Sequence, residues 1–512
     1  MEEIKSKKKK EIEKLAVSPL RIKLKKIGYL LKGGMPLNKF IKYSFAYIFI
    51  IPLKKIKTSI KGRYAALGMQ TAQTAQTAAV SALSSVPQEN AVNKADLSDI
   101  SGIINSGVTN RIGIAGSGGT DADTCFIAVN IGNAGIGDAI VAIRFLKILA
   151  DYLYAGGFLP DNNFHAGNFT DGNFTDGGFN GKNFPHGGIV FDIFYRSPDS
   201  IKFITSPHHF IRRLMNLTDY SYLHKYYDID LKLNTFFIKA EINSASEKKL
   251  SEKFQPLLKI IDNIKTNQKP IEKYIKTRPF SEGILAEAVT DMGLSRESYL
   301  NWAAGIRITL PSSQNTLFDK KATYNKIAIE TDPAALSKFG LKGVKLITVH
   351  DGWDENTKIR NKSKISTKSY PHEKWNELIK LLKLNFPQYT TAQLGGLGNG
   401  SDIEGVDLNL RGKTSLKEAA SVISEASLHI DTDSGLVHIA ACVGTVCAVI
   451  FGPTNAHYCS YSKNINIPPR ICGNCWWSAD DWMNACPKGL NAPECMNSIE
   501  PNDIIKEIKQ KK

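Results

Sequence analysis

The 512-residue sequence lacks an apolar run that could cross a bilayer, which takes about 20 residues in a helix. Its apolar segment Tyr43–Leu53 has eleven residues and is flanked by lysines. The segment lies far from the N-terminus and has no small-residue cleavage site, so it does not match the pattern of a secretory signal peptide. We therefore expect neither a spanning helix nor an ordinary export leader.

Acidic residues are scarce at the start of the chain. Residues 1–70 hold four of the 49 Asp and Glu residues but 18 of the 65 Lys and Arg residues, which leaves 45 acids and 47 bases elsewhere. This extension therefore carries +14 of the net charge of +16, and the nearly neutral remainder argues against a nucleic-acid partner. Two interpretations stay open: the extension binds an anionic membrane surface, or a solvated basic arm leads into a helix packed on the body. The first implies a cytoplasmic protein, peripheral on the inner face of the cytoplasmic membrane.

Two further segments have a repetitive composition that does not predict a packed domain. Residues 71–121 contain Gln-Thr-Ala triplets and a Ser/Ala/Gly-rich run, and we expect a low-complexity linker. Their glycine run at Gly113–Thr120 lacks the Gly-Lys-Ser/Thr ending of a phosphate loop, so a hinge is the better interpretation. In residues 160–187 a Phe recurs every five residues, but five units are too few to stack as a β-helix. We expect a surface loop there.

From residue 122 onward, short apolar runs alternate with helical periodicity. Strands are expected in two series: Cys125–Ile131, Gly188–Phe194, Phe236–Ile242 and Lys326–Glu330, then Lys345–His350, Thr390–Leu394, Ser427–Asp431 and Cys447–Phe451. Such alternation predicts an α/β fold with two parallel-sheet domains, at 122–335 and 336–465. Ligands of such sheets bind at the carboxyl ends of the strands, so the cleft between the domains is the expected site.

One turn in the second series has the chemistry of an anion site. A strand ending at Asp431 leads into Thr432, Asp433, Ser434 and Gly435, after which a small-residue helix begins. A helix start presents free backbone N–H groups and the positive end of the helix dipole, which suits a diphosphate. His438, one turn into the helix, is near enough to reach the same ligand. Simple capping of a buried helix is the structural alternative for these residues.

This segment resembles a known family. D-S/T-G-x-x-H-x-A followed by a strand and F-G-P-T is similar to the signature of glycosyltransferase family 9, the heptosyltransferase-like enzymes, and residues 431–454 carry it. Three other segments resemble further elements of that family: Ile131–Asp138, Thr367–Trp375 and Gly412–Leu416. Leu436 replaces the family's usual Pro but keeps its N–H, whereas Arg144 stands where Pro is frequent, which leaves the acceptor side less defined. The resemblance implies two facing Rossmann-like domains, the GT-B arrangement.

The resemblance also implies roles for individual residues. Asp138 matches the catalytic base that takes the proton from the acceptor hydroxyl, although an N-cap Asp occupies the same position in an ordinary helix. Lys368 matches the cation that neutralises the departing diphosphate in a transferase that needs no metal for its chemistry. The expected donor-binding residues are Thr432, Asp433, Ser434, Gly435 and His438.

Four of the eight cysteines lie close together in the sequence. Residues 466–500 contain Cys472, Cys475, Cys486 and Cys495, a spacing that opens with CxxC and is typical of a tetrahedral thiolate site. Two disulfides or four reduced thiols are the alternatives, and a cytoplasmic location disfavours disulfides. The autotransporter heptosyltransferases are similar in carrying a four-Cys iron-binding finger, so we expect one structural iron or zinc. Residues 501–512 are expected to be a basic tail.

These inferences predict an inverting glycosyltransferase that moves a sugar, heptose by the resemblance, from a nucleotide-diphosphate donor similar to ADP-heptose. The expected acceptor is a lipopolysaccharide, another glycolipid or a protein. The alternative is a non-catalytic protein of the same fold, a binding module or scaffold at the membrane surface.

Overall fold

The computed structural model describes residues 124–132, 134–154, 188–233, 238–277, 294–306, 327–351, 366–397, 401–476, 482–490 and 492–511. All of them fall in one compact unit. The extension 1–70, the linker 71–121 and the loop 160–187 lie outside the described residues, so the expectations for them stay predictions. Among the helices of the described residues, none is long and apolar enough to cross a membrane.

The first domain is built on a five-stranded sheet in the order β3-β2-β1-β4-β5. Strands β1 to β4 run parallel, and β5 closes the edge antiparallel to β4. The strands are β1 Cys125–Gly132, β2 Ile189–Tyr195, β3 Ile211–Asn216, β4 Ile229–Leu233 and β5 Ile238–Ile242. The helices are α1 Ile136–Tyr154, α2 Pro198–Thr205, α3 Leu217–Leu223, α4 Glu247–Lys253, α5 Gln255–Thr277 and α6 Arg296–Ala304.

The second domain holds a fully parallel six-stranded sheet in the order β11-β10-β9-β6-β7-β8. Its strands are β6 Leu346–Val349, β7 Thr390–Gln393, β8 Leu408–Asn409, β9 Ala426–Thr432, β10 Cys447–Ile450 and β11 Ile465–Ile467. The helices are α7 Ala334–Lys338, α8 His372–Asn385, α9 Leu416–Glu425, α10 Gly435–Val443, α11 Ala456–Cys459, α12 Glu494–Asn497 and α13 Pro501–Gln510. Counted within the domain, this is the Rossmann order, whose direction reverses between β6 and β9.

Both domains confirm the expected α/β class, and the reversal points locate the ligand sites. In the first sheet the order reverses between β1 and β4, so the turn after β1 lies at a switch point. In the second, the turns after β6 and β9 meet, because Val349 pairs with Ile430. The carboxyl ends of strands at such reversals are where these folds bind ligands.

The predicted strand Lys326–Glu330 is wrong for the residues that the structure describes. Residues 327–330 belong to no strand, although Ile327 is buried and the Glu330 N–H donates to the carbonyl of Phe203 at 2.7 Å. A single backbone bond to a residue of α2 satisfies one donor but makes no ladder with a neighbouring strand. The apolar character of this segment therefore reflects packing over α2.

The expected basic tail is also different in the structure. Residues 501–510 form α13, which packs on α8 of the second domain with one apolar face. Ile504, Ile505 and Ile508 are buried there, and burial of each aliphatic side chain contributes about 1.5–3 kcal/mol. The lysines of this segment lie on the opposite, solvated face of an integral helix.

The two domains face each other through the starts of α1 and α10, as in the expected GT-B arrangement. These helices pack together, and a Cβ built on Gly435 would lie 3.9 Å from the Gly137 backbone nitrogen. Each helix follows a strand at a switch point of its own sheet. The turn that starts the first helix and the turn that starts the second therefore open on one cleft.

Candidate functional site

The second-domain turn begins the helix with a side-chain cap. Ser434 is extended, and its Oγ accepts a hydrogen bond from the Leu436 N–H at 3.2 Å. Leu436 therefore keeps the N–H that the replaced Pro would have removed, as its sequence predicts. The hydroxyls of Thr432 and Thr454, at the carboxyl ends of β9 and β10, are buried and have no partner among the described residues. Buried hydroxyls are usually satisfied, so this edge of the sheet offers two free polar groups.

Below this turn lies a buried acid–imidazole cluster. Asp431 is fully buried, its Oδ1 is 2.9 Å from His350 Nδ1, and its Oδ2 accepts from the Ser434 hydroxyl at 2.5 Å. His429 Nε2 lies 3.2 Å from the same carboxylate. Burial alone would raise the pKa of Asp431, but the charge and hydrogen bond of His350 bring it down to about 2. Burial opposes the charge on His350, yet the Asp431 carboxylate raises its pKa.

This cluster supports the start of α10, because Asp431 accepts a hydrogen bond from the hydroxyl of its cap, Ser434. The sequence pattern does not identify the cluster as a site. Asp431 and His350 were expected only as the ends of their strands. The available signal was their position, since strand ends on either side of a switch point must meet.

The first-domain turn presents Asp138. Tyr195 at the end of β2 donates its hydroxyl to the Ala134 carbonyl at 2.8 Å, which holds the turn between β1 and α1. Asp138 is the third residue of α1 and not its N-cap, and its Oδ2 accepts from the N–H of Gly135, the residue before the helix, at 3.4 Å. Its side chain remains 39% exposed, so the carboxylate stays open to the cleft.

Arg296 contacts both facing helices, α1 and α10, and the sequence did not identify it as a site residue. Its Nη1 is 3.4 Å from Asp138 Oδ1, and its Nη2 donates to His438 Nε2 at 2.6 Å. Burial works against its charge, but the Cys459 thiol and the carboxylates of Asp138 and Asp433 raise its pKa. No local motif marks this arginine, because both partners lie more than 140 residues away in the sequence.

His438 lies deeper than its position in the motif suggests. It is 4% exposed, and its second ring nitrogen, Nδ1, is 2.5 Å from the Tyr461 hydroxyl. Burial and the charges of Arg296, Arg144 and Lys368 hold its pKa well below the ordinary value. The ring is therefore neutral and contacts protein groups at both nitrogens, while its role as a donor-binding residue stays a prediction.

Arg144, which stands in place of a frequent Pro, is a buried bridge between domains. Its guanidinium donates to the Tyr461 hydroxyl at 3.2 Å and lies over that ring, 5.5 Å from the centroid. A Pro there would remove this contact, so the departure from the family pattern has a structural use in this chain.

Lys368 lies beside the turn Thr432–Gly435, the predicted donor-binding turn, which is called the donor turn below. Its Nζ lies 3.5 Å from Asp433 Oδ2, and both side chains are largely buried. The preceding residue, Thr367, donates its N–H to the Met483 carbonyl at 3.0 Å and its hydroxyl to the Trp482 carbonyl at 2.7 Å. The loop that carries Lys368 is thus attached to the cysteine-containing segment.

No disulfide joins the four cysteines of that segment in the structure, and their thiols lie near one another. A hydrogen bond with Cys495 lowers the pKa of Cys472 to about 6, while burial and then Cys486 and Cys472 raise that of Cys475 to about 12. The CxxC turn has positive φ at Gly473 and Asn474. Within the described part of the chain, however, no three His, Cys, Asp or Glu side chains are gathered as the ligands of a metal ion.

The other four cysteines are buried small side chains: Cys125, Cys442, Cys447 and Cys459. Trp476 and Trp482 are also buried, with ring centroids 6.4 Å apart, so these two rings pack close together.

Comparison with known proteins confirms the resemblance on which these roles depend. Residues 354–468 match the sequence profile described as Glycosyltransferase family 9 (heptosyltransferase). Lipooligosaccharide heptosyltransferase 2 of Haemophilus influenzae is 43% identical over 51 residues, a match that spans 10% of this chain and 15% of that protein.

Solved structures are similar at lower identity. A family 9 glycosyl transferase from Veillonella parvula is 13% identical, with 77% of this chain and 99% of that one covered and a TM-score of 0.36. WaaC, an E. coli heptosyltransferase solved with ADP-2-deoxy-2-fluoro heptose, is 14% identical, with 75% and 100% covered and a TM-score of 0.37. TibC, a dodecameric iron-containing heptosyltransferase from enterotoxigenic E. coli in complex with ADP-D-beta-D-heptose, is 13% identical, with 76% of each chain covered and a TM-score of 0.41.

Proposed function

We propose that this chain, whose residues 354–468 match the profile of glycosyltransferase family 9 (heptosyltransferase), is an inverting transferase that uses a nucleotide-diphosphate sugar. One observation carries the proposal: the helix start that bears Asp138 and the helix start that bears the donor turn abut across the cleft. A base and an anion site on facing domains are what direct displacement at a sugar carbon needs.

The reaction assigns each residue a task. Asp138 accepts the proton of the acceptor hydroxyl while that oxygen attacks the anomeric carbon, and the bond from this carbon to the diphosphate oxygen breaks. The departing nucleotide diphosphate gains negative charge, which the N–H groups at Gly435 and the ammonium of Lys368 stabilise. This route inverts the anomeric centre and uses no metal ion in the chemical step.

Asp433 and Thr432 serve the neutral parts of the donor. A carboxylate repels a diphosphate but accepts hydrogen bonds from sugar hydroxyls, so Asp433 contacts a sugar and releases Lys368 to the phosphates. The unpartnered hydroxyls of Thr432 and Thr454 offer further donors at the same edge. By the family resemblance we propose heptose as the sugar and ADP as the nucleotide, with a lipopolysaccharide, another glycolipid or a protein as acceptor.

A ligand-stability screen of the full chain tests the donor. A nucleotide-diphosphate sugar that binds the folded state raises the unfolding temperature by an amount set by its concentration over its dissociation constant. We expect ADP-heptose to raise it more than ADP, and more than sugars carried on other nucleotides. No shift with any nucleotide-diphosphate sugar would contradict the transferase proposal.

A structural iron or zinc at Cys472, Cys475, Cys486 and Cys495 is part of the proposal. The mutual pKa effects of these thiols and the positive-φ turn at Gly473 and Asn474 support it, and thiolates suit both metals. Such a metal would hold the segment folded and take no part in transfer. Elemental analysis of protein purified without added metal should find one iron or zinc per chain, and Cys475→Ser should remove it.

For residues 1–70 we propose attachment to the anionic inner face of the cytoplasmic membrane, where a lipid-linked acceptor would be met. The support is the charge of that extension in the sequence. A chain that lacks these residues should stop sedimenting with anionic vesicles and should keep its transfer activity on a soluble acceptor. Unchanged sedimentation would contradict the attachment.

A further inference from the structure

Arg296 begins α6 at a well-defined helix start. The Ser295 hydroxyl accepts from the Ser298 N–H, and the Ser298 hydroxyl accepts from the Ser295 N–H, which makes a capping box. The first helical residue therefore has a fixed backbone. From this position the side chain enters the cleft between the domains, where Arg296 is 8% exposed.

The guanidinium of Arg296 contacts one group from each facing helix. Nη1 approaches Asp138 Oδ1 on α1 at 3.4 Å, and Nη2 donates to His438 Nε2 on α10 at 2.6 Å. An arginine is a planar fork of donors, so the bond to the imidazole fixes the plane in which the other arm meets the carboxylate.

The imidazole is itself held from behind. Since His438 Nε2 accepts from Arg296, the proton of the neutral ring lies on Nδ1, which donates to the Tyr461 oxygen at 2.5 Å. That oxygen also accepts from Arg144 at 3.2 Å. This row of groups, Arg144, Tyr461, His438 and Arg296, crosses between the domains and ends at Asp138.

Burying this row of polar groups costs free energy of folding, which a role in the reaction would explain. A buried cation is unfavourable without partners, and here an uncharged imidazole is its shortest hydrogen bond. The hydrogen bond to the imidazole therefore fixes the direction in which the guanidinium points, and does not neutralise its charge. The carboxylate it reaches is the most exposed member of the row, with 39% of its side chain open to the cleft.

We propose that Arg296 is the positioning residue of the transfer reaction. It holds Oδ1 of Asp138 in place, so that a lone pair of this carboxylate faces the acceptor hydroxyl. His438 and Tyr461 act by orienting Arg296. The inference rests on the proposed function, because it takes Asp138 to be the base.

The test compares Arg296→Gln and Arg296→Lys with Lys147→Gln, a control that removes the partly exposed ion pair to Asp151 farther along α1. For each variant, the donor dissociation constant, kcat and the acceptor KM are measured on the full chain. Misplacing a reacting group by about 1 Å can cost on the order of 10²-fold in rate.

We expect Arg296→Gln to lower kcat about 100-fold, Arg296→Lys to recover about 10-fold of this loss, and donor binding to stay within about threefold. Lys147→Gln should leave kcat and donor binding unchanged, because the ion pair that it removes lies farther along α1. If Arg296→Gln does not fold, Arg296→Lys and Tyr461→Phe are compared, and both should lower kcat without weakening donor binding.

An unchanged kcat in Arg296→Gln, or equal losses of kcat and of donor binding, would overturn the inference. Failure of the proposed function looks different, because the unaltered protein would then neither bind a nucleotide-diphosphate sugar nor transfer one.

Discussion

The ring of His438 occupies the place that a side chain on Gly137 would need. A Cβ built on Gly137 would lie 2.3 Å from His438 Cδ2, far inside contact distance. The start of α1 can therefore reach α10 only because residue 137 has no side chain. This approach brings Asp138 to the donor turn.

Gly137→Ala should accordingly separate the two helix starts. Alanine normally stabilises a helix relative to glycine by about 0.5–1 kcal/mol, whereas overpacking costs about 1–3 kcal/mol, so we expect a net loss of stability. Chemical denaturation measures it. Gly435→Ala is the matched comparison for stability, since its new Cβ would meet its neighbours at an ordinary 3.8 Å. Equal stability of the two variants would contradict the close approach.

Lys368→Gln should slow transfer more than it weakens donor binding. The ammonium now lies 3.5 Å from Asp433, and in the proposed reaction it meets a diphosphate whose negative charge grows as its bond to the sugar breaks. Loss of one such electrostatic group costs roughly 10²–10³ in rate. Single-turnover kinetics with saturating donor give the rate, and Lys380→Gln, at an exposed position on α8, is the control. A rate within twofold of the unaltered protein would remove Lys368 from the mechanism.

Thr367→Val tests whether the cysteine segment holds the Lys368 loop. Valine removes the hydroxyl that donates to Trp482 and keeps the volume, with an expected stability cost of about 0.5–1.5 kcal/mol. If the segment positions Lys368, the transfer rate should fall as well, and Thr367→Ser should restore it because serine retains the hydroxyl. Stability loss at an unchanged transfer rate would show that the attachment has no part in catalysis.

The pH dependence of stability should reveal the cluster beneath the donor turn. The pKa of His350 is raised in the folded protein, so its contribution is fully present below the unfolded value of about 6.5 and is lost as the pH rises through the folded value. Asp431 has a depressed pKa of about 2, so its contribution is lost only as the pH falls toward that value.

The difference in unfolding free energy between the unaltered protein and His350→Gln should therefore be largest near pH 5 and shrink at alkaline pH. Asp351 and Arg411 also face His350, so the same series on Arg411→Gln separates their effect. Exposed His457→Gln is the control. A difference that does not vary with pH would contradict the charged pair.

Local periodicity and the donor motif were sufficient to predict most of the fold. The strand before Thr432 and the helix from Gly435 were predictable because their residues are apolar, small and adjacent in sequence. Strand β4, Ile229–Leu233, was not, since Asp230 interrupts it; that carboxylate is satisfied by the Tyr220 hydroxyl at 2.6 Å, which no sequence pattern shows. The lysines of α13 likewise hid an amphipathic helix within an expected tail.

The residues of the site also differ in whether the sequence could identify them. Asp433 and Lys368 could be identified by their motifs, and the structure brings them together. Arg296 could not, because its importance arises only when two domains close on it. The structure also shows that His438 touches Arg296 and Tyr461, a contact between domains that its position in the motif does not reveal.

The transfer rate of Asp138→Asn is the most direct test of the central claim. Asparagine keeps a side-chain oxygen that can accept from the Gly135 N–H, so this variant keeps the helix start and removes only the base. With ADP-heptose and a lipopolysaccharide or protein acceptor, we expect a rate about 10²–10⁴-fold lower and a donor dissociation constant within a few-fold of the original. Transfer at the full rate by a folded Asp138→Asn protein would contradict the account.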